Sequence, residues 1–202
     1  MNNEQVRRIL IIRLSSMGDI ILTTPFIELA AKTFPLARID FCTKEKFTSL
    51  LRPNPNIHKV IKAKNDLNYS ALKDIRQLIK MSNYNLIIDL QNNLKSIYLR
   101  SIQDAKVHVF IKHSLKKFLL VNFKINLLKD VKPVTERYKE TINRYVSGDD
   151  LLKITLPELY TDPVSERSIE NMLDSLNITK ANRLICIPAV SGHFTKTYMA
   201  EN

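Results

Sequence analysis

Short apolar runs alternate with more polar segments through the first half of the chain. The apolar runs are rich in Ile, Leu and Val and predict buried strands, at residues 8–14, 37–42, 59–63, 84–90 and 106–111. The segments between the first four runs predict helices, at residues 20–34, 44–51 and 69–81. Strands that alternate with helices favour right-handed βαβ units, so we predict an α/β fold with a Rossmann-like parallel sheet.

The second half of the chain has a different pattern. Helices are predicted at residues 135–146 and 165–176, with a connector at 157–163 that has a proline at each end. A further buried strand is predicted at 183–188, and a glycine-containing loop follows it at 189–196.

These patterns predict two domains. We expect residues 1–160 to form an N-terminal Rossmann-like domain, and residues 161–202 to form a linker helix with the first strand and loop of a second one. One strand and one loop do not make a domain by themselves. We therefore expect the chain to end inside that second domain.

The composition is that of a globular protein, with 45% hydrophobic and 25% charged residues, which excludes a disordered chain. No uncharged apolar run approaches the roughly 18 residues that span a bilayer. The first apolar run is too short for a secretory signal, because Arg13 interrupts it and Asp19 follows. We therefore expect a cytoplasmic, soluble chain. Its 31 basic and 20 acidic residues give a net charge of +11, which favours polyanionic partners.

The cysteines, histidines and glycines exclude several common sites. Cys42 and Cys186 lie in separate predicted strands without a CxxC motif, so we predict two buried free thiols. The four histidines show no zinc-ligand spacing, so no metal site is predicted. The chain has only three glycines and neither a GxGxxG nor a Walker motif, which excludes the usual nucleotide-binding loops.

Ligands of open α/β sheets bind outside the carboxyl ends of the strands, and the loop after the first predicted strand lies there. It contains Ser15, Ser16, Gly18 and Asp19 at the start of a helix. Asp19 is either a helix cap that accepts hydrogen bonds from free amides or a general base facing a cleft. The residues alone leave both interpretations open.

Two further loops follow predicted strands. Asp89, Gln91, Asn92 and Asn93 are able to hydrogen-bond a sugar, although a turn at Asn92 and Asn93, with Asp89 bonded to loop amides, explains them equally well. The loop at 189–196 contains Ser191, Thr195 and Lys196, whose two hydroxyls and ammonium group suit a phosphate. The alternative for Lys196 is a solvated surface lysine.

The stretch at 106–132 is strongly basic, with seven lysines and one acidic residue, Asp130, among Leu and Phe residues. Such a segment can lie on an anionic membrane with its apolar side inserted. Alternatively, its apolar side packs in the core and its lysines are solvated. A nucleic-acid groove is disfavoured, because the stretch lacks arginine and shows no nucleic-acid-binding motif.

Four blocks of the sequence resemble the bacterial lipopolysaccharide heptosyltransferases, glycosyltransferase family 9. Residues 8–25 are similar to the N-terminal signature of that family almost throughout, and 85–96 resemble its second block. The Glu-Arg-Tyr at 136–138 and the segment 188–199, which contains a Thr-Lys pair, resemble two later blocks in the same order.

The resemblance implies a GT-B type fold, in which two Rossmann-like domains face a cleft, and an inverting, metal-independent sugar transfer without a cofactor. It implies an ADP-heptose-like donor, a lipid A-core type acceptor and a place in the cytoplasm, on or near the inner face of the inner membrane. Asp19 would be the general base. The acceptor would bind at Ser15, Ser16, Gly18, Asp89, Gln91 and Asn92, and the donor phosphates at Ser191, Thr195 and Lys196.

Three positions depart from the family pattern. Ala189 stands where the family commonly has glycine, and Tyr198 and Met199 replace Trp-Pro. The chain also ends just after this block, so the resemblance implies that most of the donor-binding domain is missing. We therefore expect little or no transferase activity from these residues alone. The alternative is a non-catalytic remnant that binds a membrane or a partner protein.

Overall fold

A parallel β-sheet organises the first part of the chain. The computed structural model describes residues 3–101, 104–112, 114–126, 132–146, 156–179 and 182–185. Within these residues the sheet has five strands, β1 Arg8–Ile12, β2 Arg38–Lys44, β3 Lys59–Ala63, β4 Leu86–Asp89 and β5 Lys106–Val109. Their order is β3-β2-β1-β4-β5, and every neighbouring pair is parallel. The predicted α/β fold with a parallel sheet is therefore confirmed.

The strand order reverses at β1, which lies between β2 and β4. In the sheet register Ile12 pairs with Cys42 on one side and with Asp89 on the other, so β1 and β4 end at the same level. The loops that follow these two strands therefore leave the sheet side by side. In open α/β sheets this is the position of the ligand-binding crevice.

Helices lie between the strands and after them. Within the described residues they are α1 Met17–Ile21, α2 Thr24–Thr33, α3 Tyr69–Met81, α4 Leu94–Arg100, α5 Ser114–Phe123, α6 Val134–Lys139 and α7 Pro163–Ser175. Short 3-10 helices lie at Asn3–Gln5, Glu45–Leu50 and Glu140–Tyr145. Helix α3 has the predicted bounds, and α7 lies close to the predicted helix at 165–176.

The core lies on both faces of the sheet because successive side chains of β1 point to opposite sides. Ile9 and Ile11 pack in a cluster with Phe26 of α2 and with Tyr138 of α6. Leu10 and Ile12 pack on the other face, where α3 contributes Ile79. Every position of β1 from Ile9 onward is buried, which explains why the strand is a continuous apolar run rather than an alternating one.

The predicted single helix at 20–34 was wrong, because a turn at residues 22 and 23 separates α1 from α2. Pro25 has no amide hydrogen and cannot donate to the carbonyl of Ile21 in a continuous helix. The Thr24 hydroxyl donates to that carbonyl instead, at 2.9 Å. The chain can therefore change direction here without leaving a backbone acceptor unpaired.

Several other predictions need correction at the ends of elements. The predicted strands at 8–14 and 84–90 are shorter, since β1 ends at Ile12 and β4 begins at Leu86. The predicted helix at 44–51 is a 3-10 helix, and the one at 135–146 continues as a 3-10 helix after Lys139. Helix α4 was not predicted at all, although Asn93 is its N-cap and accepts a hydrogen bond from the Ser96 amide.

The chain divides into two compact units, Met1–Tyr160 and Thr161–Asn202. In the second unit, α7 is capped by Asp162, which accepts hydrogen bonds from the amides of Val164 and Ser165. Residues 183–185 are exposed and do not form a strand. The rest of the predicted strand at 183–188 lies outside the described residues. The predicted donor loop lies outside the described residues.

Cys42 is a buried free thiol, as predicted. Burial raises its pKa to about 12, whereas Cys186 lies outside the described residues. Among the helices of the described segments, none is long and apolar enough to cross a membrane.

Candidate active site at the crevice between β1 and β4

Asp19 lies in the third helical position of α1 and folds back onto Ser16, the N-cap residue. Its Oδ2 accepts hydrogen bonds from the Ser16 amide at 3.1 Å and from the Ser16 hydroxyl at 2.8 Å. Asp19 is therefore not the N-cap itself, but it does satisfy a free amide at the start of the helix. Its side chain keeps 37% of its surface exposed, so the capping contact leaves the carboxylate accessible.

Arg13 contacts the same carboxylate from the end of β1. Its Nη2 lies 2.6 Å from Asp19 Oδ2, and its Nη1 donates to the carbonyl oxygen of Leu90 at 2.6 Å. The guanidinium also lies over the ring of Tyr138, with its central carbon 5.9 Å from the ring centroid. Arg13 therefore connects the loops after β1 and β4 to α6.

The pKa of Asp19 is set by opposing effects. Burial raises it, but hydrogen bonds from Ser16 and the nearby charge of Arg13 outweigh burial, and the pKa falls below its ordinary value. Asp19 is consequently ionised at neutral pH. An ionised, accessible carboxylate at the carboxyl end of a sheet has the form that a general base requires.

Asp89, at the end of β4, is fully buried and surrounded by donors. Its Oδ1 accepts hydrogen bonds from the amides of Gln91 and Asn92, at 2.9 and 2.8 Å. Its Oδ2 accepts from the Ser96 hydroxyl at 2.8 Å and from Arg100 Nη1 at 3.0 Å. In this structure Asp89 holds the loop after β4 together.

Gln91 and Asn92 extend that loop in two directions. The Gln91 Oε1 accepts hydrogen bonds from the amides of Leu14 and Ser15, at 3.0 and 3.2 Å, and so joins the loops after β1 and β4. Asn92 has a positive φ of 44° and donates from Nδ2 to the carbonyl oxygen of Phe110 at 2.9 Å, beside the end of β5. The side chain of Gln91 is buried, and that of Asn92 is half-buried.

The structure thus brings the predicted acceptor residues to one edge of the sheet. Ser16 and Gly18 are exposed there, and Ser15 is half-buried. A Cβ added at Gly18 would meet nothing within 4 Å, so the space around Gly18, next to Asp19 in the chain, is open. The predicted donor residues Ser191, Thr195 and Lys196 lie outside the described part of the chain.

A lysine that the sequence analysis did not single out adds to the charge of this edge. Burial lowers the pKa of Lys112, and the positive charge of Arg13 lowers it further, while Asp89 and Asp19 act in the opposite direction. Lys112 is therefore within electrostatic reach of both acidic residues. Within the described segments, no cluster of three His, Cys, Asp or Glu side chains could hold a metal ion.

The sequence analysis also missed residues that support the site, namely Arg13, Ser96, Arg100 and Tyr138. Arg13 did carry a signal, because it is a lone charge at the end of an apolar strand, six positions before an acidic residue. Ser96 and Arg100 lie on α4, the helix that was not predicted. Their contact with Asp89 could not be expected without it.

No protein-family model matches the chain. The lipopolysaccharide heptosyltransferase 1 of Campylobacter coli is 28% identical over 200 residues, which cover 95% of this chain and 57% of that protein. A crystal structure of a family 9 glycosyl transferase from Veillonella parvula superimposes with a TM-score of 0.71 and 19% identity, covering 90% of this chain and 52% of that one.

The chain resembles the N-terminal portion of glycosyltransferase family 9. Its match to heptosyltransferase 1 of Pseudomonas aeruginosa is 32% identical over 101 residues, 46% of this chain and 28% of that protein. The Escherichia coli ADP-heptose heptosyltransferase II superimposes with a TM-score of 0.58 at 15% identity, covering 86% of this chain and 51% of that one.

These structures support the GT-B type fold class of family 9. The chain spans about half the length of the Campylobacter coli, Veillonella parvula and Escherichia coli proteins named above. The activity, substrates and partners of a whole family 9 enzyme are therefore only proposed for this chain.

Proposed function

We propose that this chain is the acceptor-binding part of an inverting heptosyltransferase of lipopolysaccharide core synthesis, with Asp19 as the general base. The observation that carries the proposal is the ionised, accessible carboxylate of Asp19 where the strand order reverses. The similarity to heptosyltransferase 1 over 95% of the chain supports the same conclusion. The reaction takes place in the cytoplasm.

In the proposed reaction Asp19 removes the proton from an acceptor hydroxyl. The hydroxyl oxygen then forms a bond to the anomeric carbon of the donor heptose, and the bond from that carbon to the diphosphate oxygen breaks. ADP leaves with the electron pair, and the anomeric configuration inverts. Lys196, with Ser191 and Thr195, offsets the charge that builds on the diphosphate. No step of this scheme requires a metal ion.

The acceptor sugar binds against the loops after β1 and β4. Ser15, Ser16 and Asn92 offer hydroxyl and amide groups for hydrogen bonds to it, and Gly18 leaves space for its approach. Asp89 and Gln91 support this site through contacts within the protein. Asp89 accepts hydrogen bonds from amides of the loop after β4, and Gln91 joins that loop to the loop after β1. The donor is an ADP-heptose-like nucleotide sugar, and the acceptor is of the lipid A-core type.

The test is heptose transfer from ADP-heptose to a lipid A-core acceptor by the full natural protein that carries this segment. Asp19→Asn keeps the shape of the side chain but removes the base, so we expect the turnover rate to fall by roughly 10²- to 10⁴-fold. The thermal midpoint should fall at pH 7 because Asn loses the ion pair with Arg13, but the variant should still fold, since Asn accepts the hydrogen bonds from Ser16.

Asp162→Asn is a matched control for Asp19→Asn. Asp162 also accepts hydrogen bonds from backbone amides and a serine hydroxyl at the start of a helix, but it caps α7 in the second unit. Its substitution should leave transfer unchanged. If Asp19→Asn retains wild-type transfer, or if its only effect is unfolding, Asp19 is a capping residue and not the base.

A second proposal is that the enzyme rests on the anionic inner face of the bacterial inner membrane through α5. Phe118, Val121, Phe123 and Ile125 are all exposed in and just after this helix, beside Lys124. Apolar side chains with neighbouring lysines suit the interface of an anionic bilayer. Phe118→Ser should therefore weaken sedimentation with vesicles that contain phosphatidylglycerol.

The matched control for Phe118→Ser is Ile169→Ser, because Ile169 is exposed to nearly the same extent but lies on α7, which has Glu166 in its first turn. Binding should also fall as salt rises. Equal binding of the wild-type protein to neutral phosphatidylcholine vesicles would contradict the membrane proposal.

A further inference from the structure

Arg13 is a charged residue in an apolar environment. Only 8% of its side-chain surface is exposed, and it follows directly after the continuous apolar strand β1. Burying a guanidinium is costly unless all its donors are paired. Its Nε has no hydrogen-bond partner in the described part of the chain, and neither does the buried hydroxyl of Tyr138 beside it.

This incomplete pairing argues against a stabilising role for Arg13. A buried ion pair is often no more stable than an apolar replacement of similar size. An unpaired buried donor adds the cost of its own lost hydration. The position therefore keeps an arginine at an energetic cost, which needs a reason other than packing.

The geometry of Asp19 supplies that reason. Three contacts from described residues reach the same oxygen of its side chain, Oδ2: one from Arg13 Nη2 and two from the amide and hydroxyl of Ser16. Among these described residues no donor contacts Oδ1, so they fix the carboxylate through Oδ2 alone.

Arg13 makes two further contacts besides the one with Asp19. Its other terminal nitrogen is held by the carbonyl oxygen of Leu90 at 2.6 Å, and its plane lies over the ring of Tyr138. A guanidinium with two anchors has little freedom to follow a moving carboxylate. It therefore determines where Asp19 is, rather than adapting to it.

We propose that Arg13 is a positioning residue for the general base: anchored by the Leu90 carbonyl and the Tyr138 ring, it holds Asp19 through Oδ2 and leaves Oδ1 to take the acceptor proton. This inference rests on the proposed function for its catalytic part. The contact itself, however, can be tested without any sugar transfer.

Other charged and titratable groups surround this contact and belong in the interpretation of any pH dependence. Lys112, after β5, interacts electrostatically with Arg13 and Asp19, and also with Asp89 at the end of β4. Tyr138, on α6, interacts with Arg13 and Asp19, and also with Arg137 on the same helix. The variants below leave all four in place, so a change in the pKa of Asp19 reports the loss of Arg13.

The first experiment uses the 202-residue chain and measures the pKa of Asp19 by NMR titration of its carboxyl carbon. Arg13 stabilises the ionised form, so Arg13→Gln should raise the pKa of Asp19. Arg13→Lys keeps the charge and should raise it less. An unchanged pKa of Asp19 in Arg13→Gln overturns the proposal.

Arg76→Gln is the matched control. Arg76 also donates to a backbone carbonyl, that of Ser101, at 2.6 Å and lies over an aromatic ring, that of Tyr98, at 4.6 Å. It has no ion pair with a carboxylate in the described segments. Its substitution should leave the pKa of Asp19 unchanged. An equal shift in both variants would mean that the effect is general and would also overturn the proposal.

The second experiment measures kcat/KM for transfer against pH with the full natural protein. Asp19 must be ionised to act, so Arg13→Gln should move the acidic limb of the profile to higher pH, and kcat should fall by about tenfold or more. The KM for the donor should stay the same, and Arg13→Lys should recover part of kcat. A loss of kcat without any movement of the acidic limb contradicts positioning.

The two experiments separate the two proposals. If the natural protein transfers no heptose, the proposed function fails, while the NMR titration still decides whether Arg13 controls Asp19. If Arg13→Gln does not fold, Arg13→Lys carries the same comparison, since a lysine ammonium keeps the charge but loses the second anchor. An Asp19 pKa and acidic limb identical to wild type in Arg13→Lys would then overturn the proposal.

Discussion

Replacing Asp89 with asparagine is the strongest test of how the site is supported. The Asp89 carboxylate is fully buried and accepts four hydrogen bonds, two at each oxygen. Asn offers one carbonyl oxygen, which can keep the amides of Gln91 and Asn92. Its NH₂ group then faces the Ser96 hydroxyl and the Arg100 guanidinium, and it cannot accept a hydrogen bond from Arg100.

The cost follows from the contacts that are lost. Both bonds at Oδ2 are made to a charged carboxylate, and a bond of that kind contributes about 1.5–3 kcal/mol, so the two sum to roughly 3–6 kcal/mol. The Asn NH₂ group can donate to the Ser96 oxygen, which recovers part of this loss. Removing one partner of a buried ion pair costs about 3–5 kcal/mol, but Arg100 is 18% exposed and reaches some water. We therefore expect Asp89→Asn to lower the free energy of unfolding by about 3 kcal/mol.

The assay is urea unfolding of the 202-residue chain, followed by circular dichroism. With a slope of about 2–3 kcal/mol per molar urea, the midpoint should fall by roughly 1 M. Arg100→Gln and the double variant complete a cycle, in which the coupling between the two positions should exceed about 1 kcal/mol. A loss below 1 kcal/mol for Asp89→Asn, or strictly additive effects, would refute the buried-pair explanation.

Two further predictions concern the loops of the crevice. Gln91→Leu leaves the amides of Leu14 and Ser15 without their acceptor and should cost about 1–3 kcal/mol in urea unfolding; Gln91→Glu keeps the acceptor, and equal losses in both variants would argue against the bridge. The pKa of Asp19 is lowered in the folded chain, so its contribution to stability is present above its ordinary value of 3.8 and is lost as pH falls below it. The stability gap between wild type and Asp19→Asn should therefore close on acidification from pH 7 to pH 3, and a gap that is constant across this range would contradict the assigned contacts.

The sheet was predictable because its strands are buried on both faces and leave continuous apolar runs in the sequence. Local hydrogen-bonding chemistry was less visible. The Thr24 hydroxyl that replaces the missing Pro25 amide divides one predicted helix into two. Asn93 suggested a turn, yet it caps α4, because the residues that follow it pack a short helix on the sheet.

The position of the site was predictable to the level of loops but not of side chains. Asp19 and Asp89 both follow apolar strands, and nothing local distinguishes them. Their difference arises from distant donors: Arg100, on a helix that was not predicted, closes around Asp89, whereas Asp19 keeps one oxygen free of contacts within the described segments. Arg13 became informative only once its anchors on the Leu90 carbonyl and the Tyr138 ring were known.

The most direct test of the proposed acceptor site is an NMR titration of the 202-residue chain, labelled with ¹⁵N, with a deacylated inner-core oligosaccharide of lipopolysaccharide. Acceptor binding at the crevice should shift the amide signals of Ser16, Gly18, Asp19 and Asn92 in a saturable manner, and Asp162→Asn should not alter the result. Shifts confined to α5, or no saturable shift in the loops after β1 and β4, would contradict an acceptor site at the crevice.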